Sequence, residues 1–181
     1  MMLVCKSSAS RLLRGGFTLV ELMVTIAILA ILAAIAVPNL TSFIVNSQLR
    51  GTISTLQSDA MNARAEAIKS AKTVVLRPVV AATGWTSGWQ IVVLDNAGND
   101  LQTIASREAS SNYLAIGKDN VGGLIRYDSA GYTRNATGAF IAGCIRFDAG
   151  YTARVSALVL DAAGRPRTCT SPSASNSSCC V

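Results

Sequence analysis

The sequence predicts an α+β protein in which one long, kinked N-terminal helix packs on an antiparallel β-sheet domain. Apolar residues recur with helical spacing over residues 17–72, and from residue 73 the spacing changes to two or to short apolar runs. Clusters of Gly, Asp and Asn separate those later runs, as turns between neighbouring strands require. A chain of 181 residues has room for one membrane anchor and one modest domain. A helix followed by a series of strands can bury its apolar stripe against their sheet.

The first half of the predicted helix is hydrophobic enough to cross a membrane. The 21 residues from Phe17 to Val37 are apolar except for Thr18, Glu21 and Thr25. At about 1.5 Å per residue they form a helix roughly 30 Å long, which matches the hydrocarbon core of a bilayer. The preceding residues 1–16 contain three basic residues and no acidic one. This charge holds the N-terminus in the cytoplasm and sends the rest of the chain outward.

Glu21 is unexpected in this span, since a carboxylate in lipid is costly unless it meets a partner or reaches the headgroups. The basic leader, Gly16, Phe17, Glu21 and the unbroken span, taken in this register, resemble the type IV prepilin family, which includes the pseudopilins of type II secretion. The resemblance implies that a membrane prepilin peptidase cleaves after Gly16 and N-methylates Phe17. It also implies that Glu21 aligns the subunit in a growing filament by meeting the charged N-terminus of a neighbour. A secretory signal peptide fits poorly, because no small-residue cleavage site follows the apolar segment.

The same resemblance implies a domain plan and a location. Residues 1–16 are the cleaved leader, and residues 17–38 form the transmembrane and filament-core half of the helix. The protein is expected to lie in the inner membrane with a single span and a periplasmic C-terminal domain, and later to join a pilus at the cell surface. Its expected partners are the prepilin peptidase and other major and minor pilins.

Residues 39–72 predict the second, amphipathic half of the helix. Pro38 is expected to kink the helix and not to end it, because helical periodicity returns beyond it. Polar residues, among them Asp59 and Arg64, fill the faces that we expect to meet water. The apolar positions follow spacings of three and four and define one stripe: Leu49, Ile53, Leu56, Ala60, Ala63, Ala67 and Ala71.

Residues 73–169 predict the antiparallel β domain. Strand-like segments lie at residues 73–80, 89–95, 101–106, 113–117, 124–127, 140–147, 154–160 and 165–169, with turn-forming sequences between them. Residues 170–181 form a Ser- and Cys-rich tail, which we expect to be loose unless a disulfide holds it.

The composition excludes several kinds of chemistry. The chain has no histidine, which rules out Ser/His/Asp triads and histidine metal ligands. We therefore expect no enzyme activity, no metal or other cofactor, and no small-molecule substrate. The formal net charge of +6 falls to +3 on the side chains once residues 1–16 are removed, which by itself is a weak argument for an anionic partner.

Four cysteines remain after the leader, which contains Cys5. On the exported, oxidising side of the membrane they should form disulfides, and four cysteines allow three connectivities. We favour a bond between Cys144 and Cys169, because both lie in or beside strand-like runs. Cys179 and Cys180 are neighbours in the tail, so they could bond to each other or one could reach back to the domain. The irregular spacing of the cysteines argues against a zinc cluster.

Trp85 and Trp89 flank Gly88 at the entry to the second predicted strand. We expect both rings to pack in the core at one end of the sheet, and an aromatic platform for stacking bases is the alternative. This pattern, with Cys144 in a late strand and a G-R-x-R turn after the next one, resembles the GspH/FimT branch of minor pilins. The resemblance covers most of residues 15–169.

The G-R-x-R turn comprises Gly164, Arg165, Pro166 and Arg167. In an extended chain the two arginines leave the same face, where planar guanidinium groups can grip phosphates. The alternative is an ordinary solvated hairpin end. FimT-like minor pilins of naturally transformable bacteria bind double-stranded DNA through this motif, so the resemblance implies phosphate-led, sequence-independent DNA binding here.

Two further arginines, Arg146 and Arg154, flank a predicted turn and could extend this basic patch. Two other functions remain open within the same family. The protein could be a GspH-type pseudopilin of a type II secretion system, or a FimU-like priming minor pilin that does not bind DNA.

Overall fold

One long helix, nine strands and two short 3-10 turns make up the computed structural model, which describes residues 16–108, 114–150, 152, 154–172 and 178–180. The leader up to residue 15, Tyr113 of the fourth predicted strand, and residues 173–177 and 181 of the tail lie outside the described residues. By its internal contacts the chain divides into two units, Met1–Asn39 and Leu40–Val181.

Helix α1 runs from Leu19 to Ser70 and contains 52 residues. Thr18 caps its start, since its Oγ1 accepts a hydrogen bond from the N–H of Glu21 at 3.2 Å. The helix continues through Pro38, so this proline does not end it, and the bend expected there stays a prediction. Ala71 follows in the left-handed region, with φ 52°, which is a common way for a helix to end.

The apolar residues of α1 differ in exposure between the two units. The large apolar side chains from Leu19 to Val37 are exposed, and this part is long and apolar enough to cross a membrane. In the second unit the predicted stripe is buried, except that Ala71 is exposed just beyond the helix end. The buried members are Leu49, Ile53, Leu56, Ala60, Ala63 and Ala67, and Val45, which the prediction did not include, is buried as well.

Nine short strands follow α1 in the described residues. They are β1 (Val74–Pro78), β2 (Trp89–Leu94), β3 (Asp100–Arg107), β4 (Leu114–Asp119), β5 (Ile125–Tyr127), β6 (Thr133–Arg134), β7 (Gly143–Ala149), β8 (Val155–Leu160) and β9 (Pro166–Ser171). The sequence patterns located eight of them to within about three residues at each end. They missed β6, because two residues are too few to establish an alternating pattern.

The strands form two antiparallel sheets where the sequence suggested one sheet domain. The first sheet has the order β3-β2-β1-β5-β6, and the second has the order β4-β7-β8-β9. Every neighbouring pair is antiparallel. The buried stripe of α1 and residues from both sheets form one apolar cluster, so the prediction of a helix packed on an antiparallel sheet domain is confirmed.

The two tryptophans lie in this core, as expected. Trp85 is fully buried and Trp89 is 3% exposed, so neither ring is available for stacking with a base. Each indole Nε1 donates to a carboxylate at 2.9 Å, Trp85 to Asp119 and Trp89 to Asp59. Gly88 between them has φ +88°, and a Cβ there would lie 2.2 Å from a backbone oxygen of β3. Glycine is therefore needed at this position.

The prediction that the polar residues of this half of α1 meet water is wrong for Asp59, which is only 1% exposed. Its carboxylate accepts hydrogen bonds from Arg107 of β3, with Nε at 2.8 Å and Nη2 at 3.0 Å, as well as from Trp89. Burial alone would raise the pKa of Asp59, but these hydrogen bonds and the Arg107 charge outweigh it and hold the pKa below its ordinary value.

The disulfide pairing also differs from the prediction. Cys144 on β7 bonds to Cys180, and Cys169 on β9 bonds to Cys179, with Cα–Cα distances of 5.8 and 5.4 Å. Strand β8 separates β7 from β9, so Cys144 and Cys169 lie about 10 Å apart across the sheet. A disulfide requires Cα atoms within about 7 Å. The 3-10 turn at Ser178–Cys180 contacts all three strands, so the end of the tail is fastened across this sheet.

Candidate functional site

The hairpin between β8 and β9 carries the predicted G-R-x-R residues, and Asp161 organises it. The backbone N–H of Gly164 donates to the Asp161 carbonyl at 2.9 Å, which closes a four-residue turn. The Asp161 carboxylate accepts from the backbone N–H of Arg165 at 2.9 Å and from its guanidinium Nε at 2.9 Å. One acidic side chain thus fixes both the turn and the first arginine.

Gly164 is required by its surroundings as well as by its φ of +76°. A Cβ at this position would lie 2.1 Å from the carbonyl oxygen of Gly131, in the turn between β5 and β6. The same carbonyl accepts a hydrogen bond from Arg64 Nε of α1 at 2.9 Å. The glycine of the motif therefore lets the two turns touch beside the helix.

Arg165 and Arg167 project from the same side of β9. Both are exposed, whereas Pro166 between them is buried and its carbonyl lies 3.4 Å from the Gln57 side-chain amide of α1, which donates to it. Alternation along an extended strand produces this arrangement. The two guanidinium groups are thus presented to solvent from a backbone that is fixed against the helix.

An open groove of about 550 Å³ lies between α1 and this hairpin. Its lining residues are Met61, Arg64, Asp161, Arg165, Pro166 and Arg167. Arg64 was not among the predicted site residues, because it lies about 100 positions away in the sequence and its helical pattern indicated only a solvated face. Three arginines therefore border one groove, which suits a polyanion better than two arginines would.

The ion pair between Arg165 and Asp161 is exposed on the arginine side, whose side chain is 69% accessible. The backbone N–H of Arg165 lowers the pKa of Asp161 most, and the charges of Arg165 and Arg167 add to this effect. Asp161 therefore stays ionised at neutral pH. An exposed pair of this kind is worth at most about 1 kcal/mol, so a phosphate can draw Arg165 away at little cost.

The two other predicted arginines do not join this groove. Arg154 immediately precedes β8, whereas the hairpin follows the end of that strand, about 20 Å further along. Arg146 lies on β7 and its Nε is 2.9 Å from the carboxylate of Asp148. Strand β8 and the disulfide-bonded end of the tail lie between Arg146 and Arg167.

The predicted processing site lies at the start of the described chain. Gly16 and Phe17 precede α1 without regular structure, and Phe17 is 70% exposed. Glu21 lies in the first turn of α1, at the third helical position after the Thr18 cap. A glutamate at this position is also favourable for the helix itself, since it faces the positive end of the helix dipole.

Comparisons with known proteins match both the N-terminal segment and most of the sheet domain. A family model described as the prokaryotic N-terminal methylation motif matches residues 11–37, and one described as type II transport protein GspH matches residues 52–164. A fimbrial protein of Pseudomonas aeruginosa is 31% identical over 109 residues, which cover 58% of this chain and 70% of the relative. The type IV major fimbrial protein FimA of Dichelobacter nodosus is 30% identical over 131 residues, covering 70% of this chain and 76% of the relative.

Among solved structures, the crystal structure of the type IV minor pilin FimU of Pseudomonas aeruginosa (strain PAO1) is similar. The TM-score is 0.57 at 16% sequence identity, and the match covers 69% of this chain and 90% of FimU. At this identity the likeness concerns the fold: a long N-terminal helix with antiparallel sheets packed on it.

Proposed function

This chain belongs to the GspH family of pilin-like proteins and carries the N-terminal methylation motif, and from this premise we propose that it is a minor type IV pilin that also binds DNA. The family consists of structural subunits and not of enzymes. The two parts of the proposal, assembly and DNA binding, depend on different residues and can be tested separately.

The assembly role depends on the N-terminal unit. In this proposal the prepilin peptidase cleaves between Gly16 and Phe17 and methylates the new N-terminus. The apolar part of α1 anchors the protein in the inner membrane, with the sheets in the periplasm, until other pilins take it into a filament. Glu21 then meets the charged N-terminus of a neighbour, since a carboxylate surrounded by apolar side chains is stabilised by an ammonium group.

Replacement of Glu21 by alanine should leave the protein in the membrane and remove it from purified filaments. Glu21→Gln is the informative control, because it keeps a side chain that can support the helix start but removes the charge. Both variants should be absent from sheared filaments and present in membrane fractions on immunoblots. Normal incorporation of Glu21→Gln would show that capping, and not charge pairing, explains this residue.

The DNA-binding role depends on one observation: Arg64, Arg165 and Arg167 border the same open groove. Guanidinium groups grip phosphates through two parallel hydrogen bonds, and this contact does not read the base sequence. A backbone held by Pro166 and Gly164 limits the entropy that the two hairpin arginines lose on binding. The expected ligand is the phosphate backbone of extracellular double-stranded DNA.

The test is binding of labelled duplex DNA to the full chain in a nonionic detergent at low salt. The double variant Arg165→Ala, Arg167→Ala should bind at least about tenfold more weakly, and the slope of log K against log salt should fall by about two. Arg50→Ala with Arg77→Ala removes the same charge elsewhere and should change the affinity far less.

Two outcomes would contradict this role. Equal losses in both double variants would mean that net charge and not the groove controls binding. If the parent protein does not bind duplex DNA even at low salt, the DNA-binding role is wrong. The match to a family described as type II transport protein GspH would then favour a pseudopilin of type II secretion.

A further inference from the structure

Two exposed aromatic side chains lie together at the edge of the first sheet. Tyr132 is 41% exposed and Phe140 is 55% exposed, and their ring centroids are 5.4 Å apart with the planes nearly perpendicular at 81°. The guanidinium carbon of Arg134 lies 3.7 Å from the centre of the Phe140 ring. More than half of the Phe140 surface remains open to solvent beside these two neighbours.

This aromatic patch (Tyr132, Arg134 and Phe140) is held firmly in place. Arg134 donates from Nε to Asp128 at 2.8 Å and from Nη1 to the carbonyl of Gly138 at 3.1 Å. A β-bridge also links Arg134 to Phe140. The rings are therefore presented by a fixed backbone, so a ligand that stacks on them does not have to order a mobile loop.

The chain segment that carries the aromatic patch contacts the hairpin of the arginine groove (Arg64, Arg165 and Arg167). Thr133 is buried, and its Oγ1 lies 2.6 Å from the carbonyl of Ile141 and 3.0 Å from the carbonyl of Asp161 in the hairpin turn. The close approach of Gly131 to Gly164 joins the same two segments a second time. The backbone on either side of Tyr132 is thus packed against the turn that precedes Arg165.

The charges around this surface are predominantly positive. Five arginines border the groove or the patch, against two aspartates: Arg64, Arg126, Arg134, Arg165 and Arg167, with Asp128 and Asp161. The difference of three equals the whole excess of basic over acidic residues from residue 17 onward, where 13 Lys and Arg face 10 Asp and Glu. Positive charge next to open aromatic faces is the arrangement that binds unpaired nucleic acid strands.

We propose that the aromatic patch stacks an unpaired base of a single DNA strand whose phosphates are held by the neighbouring arginines. This inference rests on the proposed DNA-binding function and adds a preference for single-stranded DNA or open duplex ends. Bases inside a duplex are stacked on each other and offer no free face to Phe140, whereas every unpaired base does. Arg134 strengthens the contact because its charge lies against the same π system.

The test compares three labelled probes of about 20 nucleotides: a mixed-sequence single strand, the same strand with abasic sites at its central positions, and the matching duplex. Phe140→Leu in the full chain should weaken binding of the intact strand by about tenfold, within the range measured for loss of one stacked base. It should leave the abasic strand and the duplex bound as before. Phe140→Trp should restore or strengthen binding of the intact strand, which a loss of folding would not allow.

Phe43→Leu is the matched control, since Phe43 is also exposed but lies about 30 Å along α1 from Arg64. It should bind all three probes like the parent. Equal binding of the intact strand by Phe140→Leu and the parent would overturn the inference, and so would an equal loss on intact and abasic strands. If the Arg165 and Arg167 double variant still loses duplex binding in either case, the proposed function stands without it. Failure of the parent to bind any probe would overturn both.

Discussion

Replacing Asp59 by alanine is expected to lower the free energy of unfolding by about 3 kcal/mol. The substitution leaves the buried indole N–H of Trp89 without its acceptor, and it removes the contact that joins α1 to β3 through Arg107. The loss falls at the low end for a buried ion pair, because the Arg107 side chain is 48% exposed and can turn to water. Urea unfolding of the full chain, followed by the fluorescence of the two buried tryptophans, measures the change.

The ion pair between Arg77 and Asp100 provides the matched control. It joins the same two residue types, but its side chains are 33% and 51% exposed. Asp100→Ala should therefore cost no more than about 1 kcal/mol. Similar losses for Asp59→Ala and Asp100→Ala would show that burial of the Asp59 carboxylate does not carry the stability assigned to it.

The pH dependence gives a second signature of the same group. Because the folded-state pKa of Asp59 is depressed, the ionised group contributes stability above its unfolded-state pKa of about 3.9, and this stability is lost as the pH falls through the folded-state pKa. Asp59→Asn keeps the shape of the side chain but does not titrate. The difference in unfolding free energy between parent and Asp59→Asn should therefore be largest at neutral pH and should shrink below about pH 4. A difference that does not change with pH would contradict this assignment.

The architecture could be predicted from the sequence because helices and strands place apolar residues at regular intervals. Spacings of three and four in α1, and runs bounded by turn formers in the strands, each leave a local signal. The helix and eight of the nine strands lie where they were expected, and the two-residue β6 was missed. The sequence did not predict the burial of a polar residue whose hydrogen-bond partners lie far away in the chain. Asp59 has a polar position on α1, but its partners Trp89 and Arg107 are 30 and 48 residues away.

The candidate site likewise contains residues that could be predicted from the sequence and one that could not. Gly164, Arg165 and Arg167 are adjacent in sequence, so their shared face could be predicted from the alternation of an extended strand. Arg64 joins them only because two turns meet beside α1 at a glycine, and no local pattern encodes that contact. The exclusion of Arg154 is different, because the predicted strand at residues 154–160 already places Arg154 and the hairpin at opposite ends of β8.

Removing the disulfide between Cys144 and Cys180 is expected to lower the free energy of unfolding more than removing the one between Cys169 and Cys179. The sequence separations are 36 residues for Cys144–Cys180 and 10 for Cys169–Cys179. In the chain-entropy model these loops correspond to about 4 and about 3 kcal/mol of stabilisation, because a longer closed loop restricts the unfolded chain more. Chemical unfolding of the two paired Cys→Ser variants should reproduce this order.

The positions of the two disulfides in the folded protein also predict that loss of Cys144–Cys180 is the more destabilising change. Cys144 lies on the interior strand β7, and its partner Cys180 also accepts a hydrogen bond through its carbonyl from Lys118 of β4 at 2.9 Å. Cys169 lies on the edge strand β9, whose hydrogen bonds to β8 hold it without the tail. Cys5→Ser in the leader is the control and should not change the unfolding midpoint. If the variant lacking Cys169–Cys179 proves the less stable of the two, loop length does not set the order, and the tail must stabilise β9 more than β7.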